Sequence, residues 1–140
     1  MIDSFSGIYR FLSNFYPCRI EFEGRRYESV EAAYQAMKTL DVNARQMFER
    51  LPAPDAKKMG RLLKMRSDWE DVKLEIMEQL VEIKFQEPML RSALIDTGNE
   101  EIVEGNYWKD TFWGVCNGVG ENHLGKILMQ VRQKIRGARS

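Results

Sequence analysis

Two stretches of this sequence carry side chains that could do chemistry together. Glu31, Tyr34, Gln35 and Lys38 recur at i, i+3, i+4 and i+7, which lines an acid, a phenol, an amide and an amine along one helix face. Further on, Glu104-Gly105-Asn106-Tyr107-Trp108-Lys109-Asp110-Thr111-Phe112-Trp113-Gly114-Val115 sets one carboxylate between two tryptophans, and Gly118, Gly120, Asn122 and Leu124-Gly125 follow. An acid, an aromatic wall and a permissive backbone then lie within about twenty residues. Carboxylates with aromatics and amines suit hydrolysis at an anomeric carbon. A carboxylate stabilises the oxocarbenium-like transition state, a second group protonates the leaving nitrogen, and flat rings stack on the released base. Each stretch also has a plain structural reading. The polar stripe fits a solvated helix face with Glu31 well placed in the first turn, and Trp108, Phe112 and Trp113 fit core aromatics on an irregular segment.

Other chemistries are poorly supplied. His123 is the only histidine, so a metal site of two or three imidazoles is excluded, and a Cys116-His123 or Ser-His-Asp arrangement would rest on that one residue. Gly114, Gly118 and Gly120 match neither a P-loop nor a dinucleotide fingerprint. The two cysteines, Cys18 and Cys116, follow no CxxC spacing, and reduced thiols in a cytoplasm are the expectation. Lys plus Arg and Asp plus Glu number 21 each, so no overall field draws the chain onto nucleic acid or an anionic membrane, and binding to unmodified nucleic acid should be weak. Beyond Glu121 only basic charges occur, at Lys126, Arg132, Lys134, Arg136 and Arg139, as suits a solvated helix end. No leader-like h-region and no run of about eighteen apolar residues is present, so a cytoplasmic protein with no membrane partner is expected.

The elements that must position these groups are short, and 140 residues suffice for one domain spanning 1–140. Residues 5–15 read as irregular or briefly extended. Cys18, Ile20 and Phe22 alternate with polar neighbours, Glu23-Gly24 supplies a turn, and Arg25-Arg26-Tyr27 returns as a second strand. Ser29 caps a helix from Val30 to about Leu40. Asn43 opens a short helix to Leu51, Pro52 and Pro54 break it, and Asp55 caps another turn or two to Gly60-Arg61. Ser67-Asp68-Trp69-Glu70 reads as a capping box that starts a long helix to Phe85, with one apolar stripe through Trp69, Val72, Ile76, Leu80 and Ile83 and another through Leu74, Met77, Val81 and Phe85. Pro88 opens a helix that ends near Thr97-Gly98, and Ile102-Val103 makes a brief strand. The last helix starts near Asn122 and buries Leu124, Ile127, Leu128, Val131 and Ile135, leaving its charges outside.

The ordered set Phe11-Leu12-Ser13-Asn14-Phe15, Ser29-Val30-Glu31, Tyr34-Gln35-Ala36, Lys38, Gly60-Arg61, Trp69, Lys84-Phe85, Asp110 through Trp113-Gly114, Asn122, Leu124-Gly125 and Leu128-Met129 resembles the NADAR superfamily of YbiA-like proteins. The resemblance implies a mainly α, single-domain fold with a small β element. It implies N-glycosidase activity with no cofactor and no metal. Known family activities are cleavage of phosphoribosylamino-pyrimidine intermediates of riboflavin biosynthesis and removal of ADP-ribose from guanine in nucleic acid, so the partner would be a small N-riboside or an ADP-ribosylated nucleic acid. By matching motif positions, Glu31 and Asp110 would supply charge stabilisation and proton transfer, and Lys38 could capture C1' as a Schiff base. Asn14, Phe15, Gln35, Gly60, Arg61, Trp69, Trp113, Gly114 and Asn122 would bind substrate, with the two tryptophans at the base or ribose and Arg61 at a phosphate. Cys116 and His123 inherit no role. The rival reading is a module that binds ADP-ribose or another NAD derivative without cleaving it.

Overall fold

The computed structural model describes residues 1–139, with side chains as far as residue 138, so the Arg139 side chain lies outside the described part. The chain is mainly helical with two small two-stranded sheets, as expected. It divides into two units, Asn14–Lys84 and Met1–Ser13 with Phe85–Ser140, each with its own internal order.

In the first unit β1 (Ile20–Phe22) and β2 (Arg25–Tyr27) pair antiparallel, with Ile20 opposite Tyr27 and Phe22 opposite Arg25. The turn between them puts Glu23 and Gly24 at φ 48 and 78, the two left-handed positions a two-residue hairpin turn requires. α1 (Val30–Ala36) is capped by Ser29, whose Oγ accepts the Ala32 N–H at 3.0 Å. It stops four residues before Leu40, the expected end. The Lys38 N–H turns back to the Gln35 carbonyl at 3.2 Å, and the Lys38 carbonyl accepts from the Arg66 N–H at 2.7 Å. The chain is thereby held by a neighbouring segment instead of by another helical turn.

Three further boundaries move for local reasons. α2 (Val42–Met47) starts before Asn43 because Asp41 is the cap, accepting from the Asn43 and Ala44 amides at 2.9 and 3.3 Å, and a 3₁₀ turn over Phe48–Arg50 follows it. α3 (Ala53–Gly60) contains Pro54 in its first turn, where no donor is needed, so that proline does not break the helix and Asp55 is no cap. α4 (Trp69–Lys84) is entered from Asp68, whose carbonyl takes the Asp71 and Val72 amides at 2.9 and 3.2 Å, one residue beyond the expected Ser67. The Asp68 carboxylate is gripped by Arg66 Nε and Nη2 at 2.6 and 3.0 Å.

α4 buries Trp69, Ile76, Met77, Leu80 and Val81, and also Lys84. Loss of hydration pushes the Lys84 ammonium down to about 8, the nearby Cys18 thiol opposing slightly, and Nζ lies 5.8 Å from the centre of the Tyr16 ring. The folded state therefore releases a proton that the unfolded chain keeps. Below pH about 8 both states hold the charge and burying it costs in full; between there and the ordinary lysine value of 10.5 stability rises as pH rises; above it the cost is gone. Fully expressed, that lowering corresponds to about 3 kcal/mol. Lys84→Met should gain stability over wild type at pH 7 and lose that advantage near pH 10.5, as urea unfolding of both proteins at the two pH values would show. A constant difference would refute it.

In the second unit α5 (Pro88–Asp96) is capped by the Glu87 carboxylate, which accepts the Leu90 N–H at 2.9 Å, and Gly98 takes φ 66 just beyond its end. The segment before it is a 3₁₀ turn over Gly7–Leu12, not extended chain. The strand expected at Ile102-Val103 is reduced to one parallel bridge from Ile102 to Ile2, and the ladder forms later, between β3 (Gly105–Asn106) and β4 (Val115–Cys116), in parallel. α6 (His123–Arg139) buries Leu124, Ile127, Leu128, Val131 and Ile135 as expected. Arg132 departs from the expectation that its charges stay outside: it is buried and donates to Thr97 Oγ1 at 2.8 Å. Among the described residues no helix is long and apolar enough to cross a membrane.

Candidate active site

α1 is buried along its whole length, so its polar stripe is not a solvated face. Small residues at Ala32, Ala33 and Ala36 let neighbouring chain close in, so Glu31, Tyr34 and Gln35 are left only 9%, 7% and 5% exposed. A carboxylate so placed needs donors. Gln35 supplies one, its Nε2 donating to Glu31 Oε2 at 2.7 Å, while the backbone N–H of Glu31 donates to the Asn14 carbonyl at 3.0 Å. The amide orientation follows from chemistry, since only the nitrogen of Gln35 can donate to a carboxylate. Its Oε1 is then buried with no hydrogen-bond donor, an omission that ordinarily costs about 1–3 kcal/mol. Gly60, at the end of α3, lies against that oxygen so closely that a Cβ there would overlap it.

Around this pair stand aromatics and cations. The Tyr34 ring meets Trp69, which is buried, with centroids 5.1 Å apart. Lys38 leaves α1 at the turn and brings Nζ within 5.8 Å of the Tyr34 centroid. Partial burial lowers its proton affinity below that of an ordinary lysine; the Glu31 charge opposes this, and Arg61, Lys57 and Lys73 reinforce it. Arg61 caps α3 and is exposed, and Lys57, one turn earlier, lies with Nζ 5.7 Å from the centre of the Phe15 ring. The structure thus brings Glu31, Gln35, Lys38, Gly60, Arg61 and Trp69 together with the backbone of Asn14. The Asn14 side chain turns elsewhere, toward Met77 Sδ at 3.5 Å. Lys57 and Lys73 were missed by sequence reasoning. Lys57 had a signal, since it precedes Arg61 by four residues and so shares its helix face.

The other predicted residues belong to the second unit, where they build a loop. Asp110 Oδ1 accepts from the Phe112 and Trp113 amides at 3.1 and 2.9 Å. Asn106 clasps the same residue, its Oδ1 taking the Asp110 N–H at 3.1 Å and its Nδ2 donating to the Asp110 carbonyl at 2.9 Å and to Glu104 Oε2 at 2.9 Å. Gly114 is buried where a side chain would run into Glu104, so its identity is required by close approach. Asn122 has its amide occupied by backbone, accepting the Glu104 N–H at 2.9 Å and donating to the Ile102 carbonyl at 3.0 Å. Trp113 packs edge-on to Phe112 at 4.8 Å, whereas Trp108 is half exposed and meets Tyr107 at 5.1 Å. His123 lies on Phe112 with centroids 4.5 Å apart.

Comparison with known proteins places the chain in a family. The NADAR domain matches residues 4–136. N-glycosidase YbiA of Escherichia coli is 34% identical over 94% of this chain and 85% of its own length, and an N-glycosidase of Nostoc punctiforme is 38% identical over 91% and 86%. A riboflavin biosynthesis protein of Vibrio vulnificus is 41% identical over 90% of this chain, which spans only 35% of that longer protein. The solution structure of E. coli YbiA superposes with a TM-score of 0.85 over 99% of this chain and 89% of that one, at 32% identity.

Proposed function

This chain belongs to the NADAR family and is an N-glycosidase of the YbiA kind, and from that premise we propose that it cleaves the ribose C1'–N bond of phosphate-bearing N-ribosides through Glu31 and Lys38. The observation that carries the proposal is a buried carboxylate and a lysine of lowered proton affinity in one cluster, beside the rings of Tyr34 and Trp69 and within reach of the charges of Arg61, Lys57 and Lys73. Cations suit a phosphate, and the rings suit a base. A protein that only bound an anionic ligand would gain nothing from a buried carboxylate.

In this reading the glycosylamine opens as its nitrogen lone pair forms C1'=N and the ring C–O bond breaks, with a proton going to the ring oxygen. The neutral Lys38 amine adds to C1', the base nitrogen takes a proton and leaves, and C1' remains as an imine on Nζ. Water then adds to the imine, restoring the amine and releasing the sugar. Glu31 stabilises positive charge at C1' and carries protons in these steps. The substrate is either an ADP-ribosylated guanine in nucleic acid or a phosphoribosylamino-pyrimidine. Incubation with both, and with unphosphorylated N-ribosides, should release base from at least one phosphate-bearing substrate and from no unphosphorylated one. Equal cleavage of unphosphorylated ribosides would remove the phosphate from the reading, and no release from any would remove the reading.

A further inference from the structure

Gly60 has no backbone reason to be glycine, since it ends a helix with φ outside the left-handed region. The reason lies across from it. A Cβ at this position would overlap Gln35 Oε1 and come within 2.7 Å of Cδ and 3.3 Å of the Gln35 Cβ. The same amide is fixed at its other end, where Nε2 donates to Glu31 Oε2 at 2.7 Å. It is thus held by a charge-assisted bond on one side and by bare backbone on the other, with Oε1 buried and without a donor. No hydrogen bond to that oxygen keeps the amide in place. Space does.

We propose that Gly60 is a positioning residue for Glu31: the side chain it lacks leaves room for the Gln35 amide in the one placement that donates to the carboxylate, so α3 sets the carboxylate on α1 through Gln35. Gly60 then touches no substrate, unlike the binding role its motif position suggested. The inference rests on the role of Glu31 in the glycosidase reaction proposed above. A methyl at position 60 must displace the amide, because the three atoms nearest to it all belong to the Gln35 side chain and the closest is the amide oxygen itself. The carboxylate loses the Gln35 donor or is dragged with it. The rings and cations that hold substrate are left in place, so the loss should fall on kcat and spare KM.

The test compares wild type, Gln35→Met, Gln35→Ala, Gly60→Ala and the Gln35→Ala/Gly60→Ala double variant on an N-riboside that wild type cleaves. Gln35→Met keeps side-chain length and removes the amide, and Gly60→Ala keeps the amide and displaces it. Each should lower kcat about ten- to a hundredfold, the scale of an ångström of misplacement, with KM changed less than about threefold. Adding Gly60→Ala to Gln35→Ala should cost no further turnover, since no amide remains to displace. Wild-type kcat in Gly60→Ala, additive losses in the double variant, or a loss confined to KM would overturn the proposal. Should Gly60→Ala fail to fold, Gln35→Met decides: wild-type kcat there overturns it equally. An active wild type beside an equally active Gly60→Ala sinks the positioning role alone, whereas an inactive wild type sinks the glycosidase reading first.

Discussion

Glu31→Gln should lower turnover by about a hundredfold or more while leaving substrate affinity and melting temperature close to wild type. The substitution keeps the shape of the side chain, and the new amide oxygen can still accept from Gln35 Nε2, which donates to Glu31 Oε2 at 2.7 Å in the native protein. What is lost is the charge. If that charge stabilises C1' as the base leaves, its absence is felt in the transition state and hardly in the ground state, so kcat falls and KM holds. Stability should change by less than about 1 kcal/mol, because the side chain is 9% exposed and the desolvation cost of a buried charge offsets most of what its partners return. Measuring cleavage rate, ligand affinity and thermal unfolding on one preparation separates these effects. Unchanged turnover with an unchanged melting curve would take Glu31 out of the chemistry and leave Lys38 to explain it alone.

That Glu31 and Gln35 meet was legible in the sequence, because residues four apart on a helix are neighbours wherever the helix sits. That they are buried was not. Periodicity separates an apolar face from a polar one, and α1 is too short and too rich in alanine to show that chain covers it on every side. The same limit hid the contact of Gly60 with Gln35, which joins two helices and leaves no mark in either taken singly. Lys84 is different, since its burial could have been read. It lies four residues after Leu80 and three after Val81, in the apolar arc of α4, and was passed over because a lysine is ordinarily placed outside. The bounds expected for α5 and the start expected for α6 came out nearly to the residue. The misplaced ends of α1, α2 and α3 depend on a carbonyl taken by Arg66, a cap supplied by Asp41 and a proline tolerated in a first turn. In the loop of the second unit, the spacing of Asp110 and the tryptophans was visible, but not that Asn106 clasps the Asp110 backbone or that the Asp110 carboxylate takes the Phe112 and Trp113 amides.

Lys38 should be the side chain whose loss cannot be rescued by charge. An arginine there keeps a cation near Tyr34 and Glu31 but cannot form a neutral amine or an imine at working pH, so Lys38→Arg should lose at least about a thousandfold in turnover, as should Lys38→Met. Reduction with borohydride during wild-type turnover should leave a ring-opened sugar joined to Lys38 as a secondary amine, found by peptide mass spectrometry and absent from both variants. The pH dependence follows from burial. Desolvation lowers the proton affinity of Lys38 below the ordinary 10.5, Glu31 opposes this, and Arg61, Lys57 and Lys73 add to it. The neutral, nucleophilic amine therefore forms at lower pH than on a solvated lysine, and the single-turnover rate should climb with pH and level off below 10.5. Arg61→Gln removes one of the cations that lower it, so the plateau should move to higher pH in that variant even where binding is saturated. A rate indifferent to Arg61 in its pH profile would mean that another group titrates. A borohydride experiment without an adduct, or a Lys38→Arg variant that keeps more than about a tenth of wild-type turnover, would mean that water attacks C1' directly and that Lys38 serves only as a charge beside the phosphate.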